Sequence, residues 1–386
     1  MGASRTTPLA WLSLIHDPRR LAASAAGVAF AILLIWVELG FLNAIYDSTT
    51  LLIDSLDADL VVVSQLKNNT NPSKPLRRSE LARAAAAAGV AEAVPLYLSR
   101  WGTWRGDGLA VRDKIRILGV DPDRPSLRLA GVESQRGLLR RPDTALFDRR
   151  LRDSYGGSLV AGARGEVDGR QLELVGDFAL GTDLELNGTL IVSEQTFARI
   201  FYRPGRPDPL QEVDFGLLRL RQGASLEDSR RAVEALLAPH LEVLTRDDLT
   251  AKVHGYWTRN KPVGAVFGLG VMVGFLIGVV LCYQVLYTDV IDHLPQFATL
   301  IAMGYGRRHL VSLAIRRGLY MAGAATLLAA PLGLWISSLL ADLTSLTFRL
   351  SLGRAGLVVL CAAAMCVLAS LLAMRRALDA DPAELF

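Results

Sequence analysis

Metal chemistry needs clustered ligands. The five histidines of this 386-residue chain, His16, His240, His254, His293 and His309, stand apart, with no H-E-x-x-H or other paired spacing. A phosphate-binding loop needs Gly-x-x-x-x-Gly-Lys and then Ser or Thr, so that backbone N–H groups and a lysine cradle the phosphates together. No Gly-Lys pair occurs anywhere in the chain. A nucleophile elbow would read G-x-S-x-G, but Gly223-Ala224-Ser225 continues into Leu226 and Glu227 and reads instead as the start of a helix. The sequence therefore assigns no catalytic residue, no metal and no cofactor to this polypeptide.

What remains are residues placed for mechanical work. In the stretch 292–305, Pro295 suits the first position of a helix and Gly304 its end, which gives about nine residues and roughly 13 Å of helix. Leu294, Phe297, Leu300 and Ile301 gather on one face, with Met303 closing the segment. Such a helix can lie on lipid or enter a groove of a cytoplasmic partner. Glu38 is the one ionisable residue inside an apolar run, and such residues are functional candidates. It stands about 25 Å along a helix from Leu21, which places it near the outer interface as a solvated carboxylate. Gly264, Gly268, Gly270, Gly274 and Gly278 form small-x-x-x-small pairs that allow close helix approach, either between two copies or within one. Pro331 and Gly333 suit a static kink or a hinge.

The elements that must position these residues are apolar spans. A bilayer core takes about 20 apolar residues in helical form. Residues 21–46 carry only Glu38, and 263–287, 318–341 and 355–374 carry no charge. The expected class is a membrane protein with four transmembrane helices and a large α+β extracytoplasmic domain, 47–262, between the first and second. The first span is preceded by Arg19 and Arg20, exceeds the usual apolar length of a signal peptide and lacks an A-x-A end, so it reads as a retained anchor. Residues 1–20, with Trp11, Leu12 and Ile15 on one side, read as an amphipathic cytoplasmic helix on the inner leaflet.

Orientation follows the basic residues. Arg5, Arg19 and Arg20 precede the first span, Arg307, Arg308, Arg316 and Arg317 lie in the connection 288–317, and Arg375 and Arg376 open the tail 375–386. Both termini are expected in the cytoplasm of an inner membrane. A mean hydropathy of +0.30 fits four spans diluted by a soluble insert. The net charge of +4 comes from the Arg-rich flanks as much as from the insert and points to lipid headgroups rather than nucleic acid. Cys282, Cys361 and Cys366 all fall inside spans, so the external part must be held by its own core.

Within that external part, strands are expected at 59–64, 94–98, 115–120, 171–175, 189–192 and 215–220, the second only as an edge because of Pro95. Helices are expected over 81–88, stopping at Gly89, and from Ser225 to a point before Pro239. The polar run 67–74 reads as a solvated connection or a partner contact. Two lobes are expected.

Taken in order, the layout, the Ala298-Thr299-Leu300 and Ala302-Met303-Gly304-Tyr305 pieces, the ending Asp381-Pro382-Ala383-Glu384-Leu385-Phe386 and the external Ile117-Leu118-Gly119-Val120-Asp121-Pro122 segment resemble the DevC-type permeases of the MacB and FtsX-like family of ABC transporters. The resemblance covers nearly the whole chain. It implies that the hairpin residues Leu294, Pro295, Phe297, Leu300, Ile301, Met303 and Gly304 couple to a separate ABC ATPase subunit, which binds the ATP. It further implies a dimer, expected to be a homodimer, working with a periplasmic membrane-fusion adaptor and an outer-membrane channel. DevC-type members are linked to glycolipid export in cyanobacteria, which implies a lipid-like substrate. Gln296 and Ile301 stand where an acidic and a basic residue are frequent, which implies a more apolar dock. An FtsX-like regulator that activates a cell-wall hydrolase is the alternative; an anchored sensor without an ATPase would not need three closely spaced C-terminal spans.

Overall fold

A computed structural model describes residues 18–70, 74–106, 113–150, 160–183, 186–260, 262–292, 307–344, 346, 348 and 351–379. The chain divides into two compact units, one made of 1–43, 263–340 and 348–386, the other of 44–262 and 341–347.

The first unit is built from four long helices. These are α1 (Pro18–Asp54), which passes its last turns to the second unit, α7 (Val263–Asp292), α8 (Arg307–Thr344) and α9 (Leu352–Asp379). Each contains a stretch long and apolar enough to cross a membrane. The chain is an integral membrane protein. α1 has 37 residues, or about 55 Å at 1.5 Å per residue, well beyond the hydrocarbon thickness. It therefore runs eight residues past the expected end at 46. α8 begins at Arg307, so the basic run expected in the connection 288–317 forms the first turns of a helix, and α8 continues unbroken through Pro331. The remainder of that connection, 293–306, lies outside the described residues, as does the expected N-terminal helix.

The second unit is a mixed sheet with helices. Its strands are β1 (Leu60–Ser64), β2 (Leu76–Arg77), β3 (Val90–Gly106), β4 (Asp113–Val120), β5 (Thr144–Asp148), β6 (Arg164–Val167), β7 (Arg170–Phe178), β8 (Thr189–Ser193), β9 (Glu212–Val213), β10 (Phe215–Leu220) and β11 (Leu241–Leu244). Nine of them join in the order β11-β1-β10-β3-β4-β8-β5-β7-β6, and β3 also pairs with β6. That extra pairing closes β3, β4, β8, β5, β7 and β6 into a ring, while β11, β1 and β10 extend the first half of β3 as an antiparallel sheet. The sheet part of the chain, expected as two lobes, is one compact unit in which the long β3 belongs to both the ring and the antiparallel extension.

Pro95 shows how β3 serves both lobes. It lies opposite Gly216 of β10, and β4 pairs only from Tyr97 onward. The missing N–H therefore falls where β3 has a partner on one side, as an edge position requires. At the other end, β3 meets β6 through Trp104↔Val167, and a Cβ on Gly165 would overlap the Trp104 indole. A bare glycine lets the ring close over that indole. The ring interior is filled by Ile115, Ile117, Phe147, Leu172, Leu174 and Leu190, so it is a core rather than a channel.

Helices α2 (Arg78–Ala85), α3 (Ala130–Gln135), α4 (Glu194–Phe201), α5 (Leu226–Glu234) and α6 (Arg246–Asn260) complete this unit among the described residues. The Ser225 hydroxyl accepts the N–H of Asp228, which is the capping start read from the sequence. Gly89 follows α2 with φ +87°, a conformation open chiefly to glycine.

Candidate functional site

The helix bundle is organised by the glycine stripe of α7. At Gly270 an added Cβ would stand 2.6 Å from the Glu38 carboxylate carbon of α1, and at Gly274 3.3 Å from Ile35. At Gly278 it would overlap Met365 of α9 and lie 3.1 Å from Ala31 of α1. Three of the five predicted glycines therefore bring α7 against α1 and α9 inside one subunit. Gly268 has open space around it, so the stripe is used on part of its length.

Two further contacts tie α8 into the bundle. The Trp36 indole N–H of α1 donates to Ser337 Oγ at 3.1 Å, and Gly333 lies against that indole. At the other end Gly318 approaches Ser370 and the Cys366 carbonyl of α9. Glu38 is half-buried, one turn from an aromatic group in which Phe41 lies 6.1 Å from Phe267 and 5.5 Å from Phe348. Beside and opposite the glycine stripe on α7, Val266, Leu269, Val273, Leu276 and Val280 are exposed, as lipid-facing residues are.

In the second unit, the end of α1 and the helix that leads into α7 are clasped together. Tyr46 of α1 and His254 of α6 sit with ring centroids 5.6 Å apart, and Thr258 Oγ1 reaches the Tyr46 hydroxyl at 3.4 Å while donating to the His254 carbonyl at 2.8 Å. Among the described residues, the His254 Nε2 is buried without a hydrogen-bond partner. These two segments are the chain's entry into and exit from the sheet domain. No spacing in the sequence announces this clasp, since its members are some 200 positions apart.

Deeper in that domain, charges are buried in pairs. Lys67 donates to Asp214 at 3.0 Å and lies 4.4 Å over the Phe215 ring, and burial lowers its pKa despite the carboxylate. Asp214 also accepts the Leu98 N–H at 2.9 Å. Arg116 pairs with Asp183 in the same way. Asp148, fully buried, accepts the N–H groups of Arg150, Leu180 and Gly181, yet desolvation still raises its pKa. Among the described residues no group of three or more His, Cys, Asp or Glu side chains gathers as a metal site. These pairs look inward and serve the fold.

The hairpin residues Leu294, Pro295, Phe297, Leu300, Ile301, Met303 and Gly304 lie outside the described residues. The comparison with known families does cover them. Residues 266–382, which hold nearly all of α7, the connection, α8 and all of α9, match the FtsX-like permease C-terminal domain. The match extends over about a third of the chain, and over that stretch the chain is similar to FtsX-like permeases. No curated protein matches the chain. Among solved structures, the extracellular domain of the noncanonic ABC-type transporter YknZ from Gram-positive bacteria is similar at 11% identity and TM-score 0.35, over 49% of this chain and 99% of that one. The periplasmic region of MacB from Actinobacillus actinomycetemcomitans is similar at 9% identity and TM-score 0.37, over 52% of this chain and 95% of that one. In the FtsX-like domain, the glycine stripe lies on the first helix and the predicted hairpin between the first and second.

Proposed function

We propose that this protein is the membrane-spanning permease subunit of an ABC exporter of the DevC type, lying in the inner membrane with both termini in the cytoplasm. The observation that carries the reading is the FtsX-like match across three helices and their connection, in a chain with no phosphate-binding loop of its own. ATP is then bound and hydrolysed by a separate ATPase subunit. Its closure pushes the hairpin helix, whose apolar face of Leu294, Phe297, Leu300 and Ile301 suits an apolar groove. α7 carries that displacement along its glycine seam, and the Tyr46, His254 and Thr258 clasp keeps α1 and α6 moving together.

A lipid-like substrate, such as a glycolipid, fits a subunit whose described membrane helices expose apolar side chains outward and bury apolar ones inward. A homodimer working with a periplasmic adaptor and an outer-membrane channel completes the export path. The FtsX-like match also suits a transmembrane regulator that activates a cell-wall hydrolase. Deletion in the native host separates the two. Export predicts that the lipid-like substrate accumulates in the inner membrane and that an adaptor copurifies with the intact protein. A normal envelope lipid profile with impaired septal wall cleavage would overturn the export reading.

A further inference from the structure

Cys282 of α7 and Cys366 of α9 meet with their sulfurs 3.6 Å apart, both buried. The contact follows from the glycine stripe. Cys282 continues the four-residue spacing of Gly270, Gly274 and Gly278, and one turn above it the bare Gly278 admits Met365, the neighbour of Cys366. Leu286, Ala362 and Ala369 share the same apolar cluster. A disulfide has a sulfur separation of about 2.05 Å and needs Cβ atoms that face each other, so bond formation here asks for roughly 1.5 Å of closure between side chains already in contact. Metal binding fits less well, because a structural zinc takes about four ligands and no such group gathers among the described residues.

We propose that Cys282 and Cys366 form an intramembrane oxidation site at which a lipid hydroperoxide produces a disulfide that staples α7 to α9. The site lies within the apolar spans, so the oxidant must partition into the bilayer, which a lipid hydroperoxide does and a charged peptide disulfide does not. One sulfur attacks the peroxide oxygen, the O–O bond breaks, and a sulfenic acid and a lipid alcohol form. The second thiol then attacks the sulfenic sulfur, forming the S–S bond and expelling water. Two electrons pass from the two thiols to the peroxide, and the two thiol protons leave in the alcohol and the water. Thiol reductants restore the open pair.

The third cysteine supplies an internal control. Cys361 lies five residues before Cys366, roughly 140° around the helix, and is only partly buried. Full-length protein in lipid nanodiscs is treated with cumene hydroperoxide, then denatured, and its intact mass and non-reduced digest are read by mass spectrometry. The expected result is loss of two hydrogens, a peptide of α7 joined to a peptide of α9 through Cys282 and Cys366, and full reversal by a phosphine reductant. Cys361→Ser retains the link, while Cys282→Ser and Cys366→Ser each abolish it. Unlinked peptides in the wild type, a link through Cys361, or links only between copies would overturn the proposal.

Discussion

Lys67 and Asp214 exchange solvation for each other at the heart of the external domain, and the two ends of that pair are not equivalent. Asp214 also holds the Leu98 N–H, whereas burial already disfavours the charged form of Lys67. Asp214→Ala and Lys67→Met should each destabilise the domain by about 3–5 kcal/mol, since either removes one partner of a buried pair, and the double change should cost less than their sum. Chemical denaturation of the full-length protein, followed by sheet-domain fluorescence, checks this; additive losses would contradict it. Glu194 provides a test with pH. Its pKa is raised, mainly by burial and against the pull of Arg78, and its Oε2 lacks a hydrogen bond. The folded state thus binds this proton more tightly than the unfolded chain, so stability rises as pH falls from the raised value toward the ordinary value near about 4.3. Glu194→Gln should raise the melting temperature at neutral pH, and its advantage should shrink on acidification. A lower melting temperature at neutral pH would refute that sign.

At the level of elements, the α7 seam makes graded predictions. Gly278→Val must displace Met365 and crowd Ala31, at a cost of about 1–3 kcal/mol. Gly268→Ala meets open space and should leave thermal stability in detergent unchanged or slightly higher. Equal effects at the two positions would show that the seam is not formed as described. Gly165→Val should likewise open the β3–β6 closure against Trp104, read as loss of the indole's buried fluorescence. The spans, their glycines and the Ser225 cap were legible because hydropathy, small-residue spacing and capping act locally. The second half of β3 was not, because Gly102, Arg100 and Arg105 break any alternation and the pairing partners come from elsewhere in the chain. β5 was missed for a similar reason: its five residues are all buried, leaving no period to read. α1 outran its expected end at 46 because Ser48, Thr49 and Thr50 each turn their hydroxyl back onto a helix carbonyl, so polar residues continue the helix.

For the whole molecule, the sequence alone supplied the membrane architecture and the resemblance, and the FtsX-like match over 266–382 includes the hairpin pieces of that resemblance but not its 117–122 segment. The internal seam and the Tyr46–His254–Thr258 clasp emerged only when distant segments were brought together. Under the proposed function, this subunit receives work from a separate ATPase through its hairpin. The most direct test compares the intact protein with a Phe297→Asp, Leu300→Asp double variant, each purified from native membranes and assayed for bound ATPase activity. The wild type should retain an ABC ATPase whose hydrolysis it stimulates, and the double variant, folded to the same melting temperature, should lose both binding and stimulation. Undiminished stimulation by the variant, or no ATPase with either protein, would contradict it.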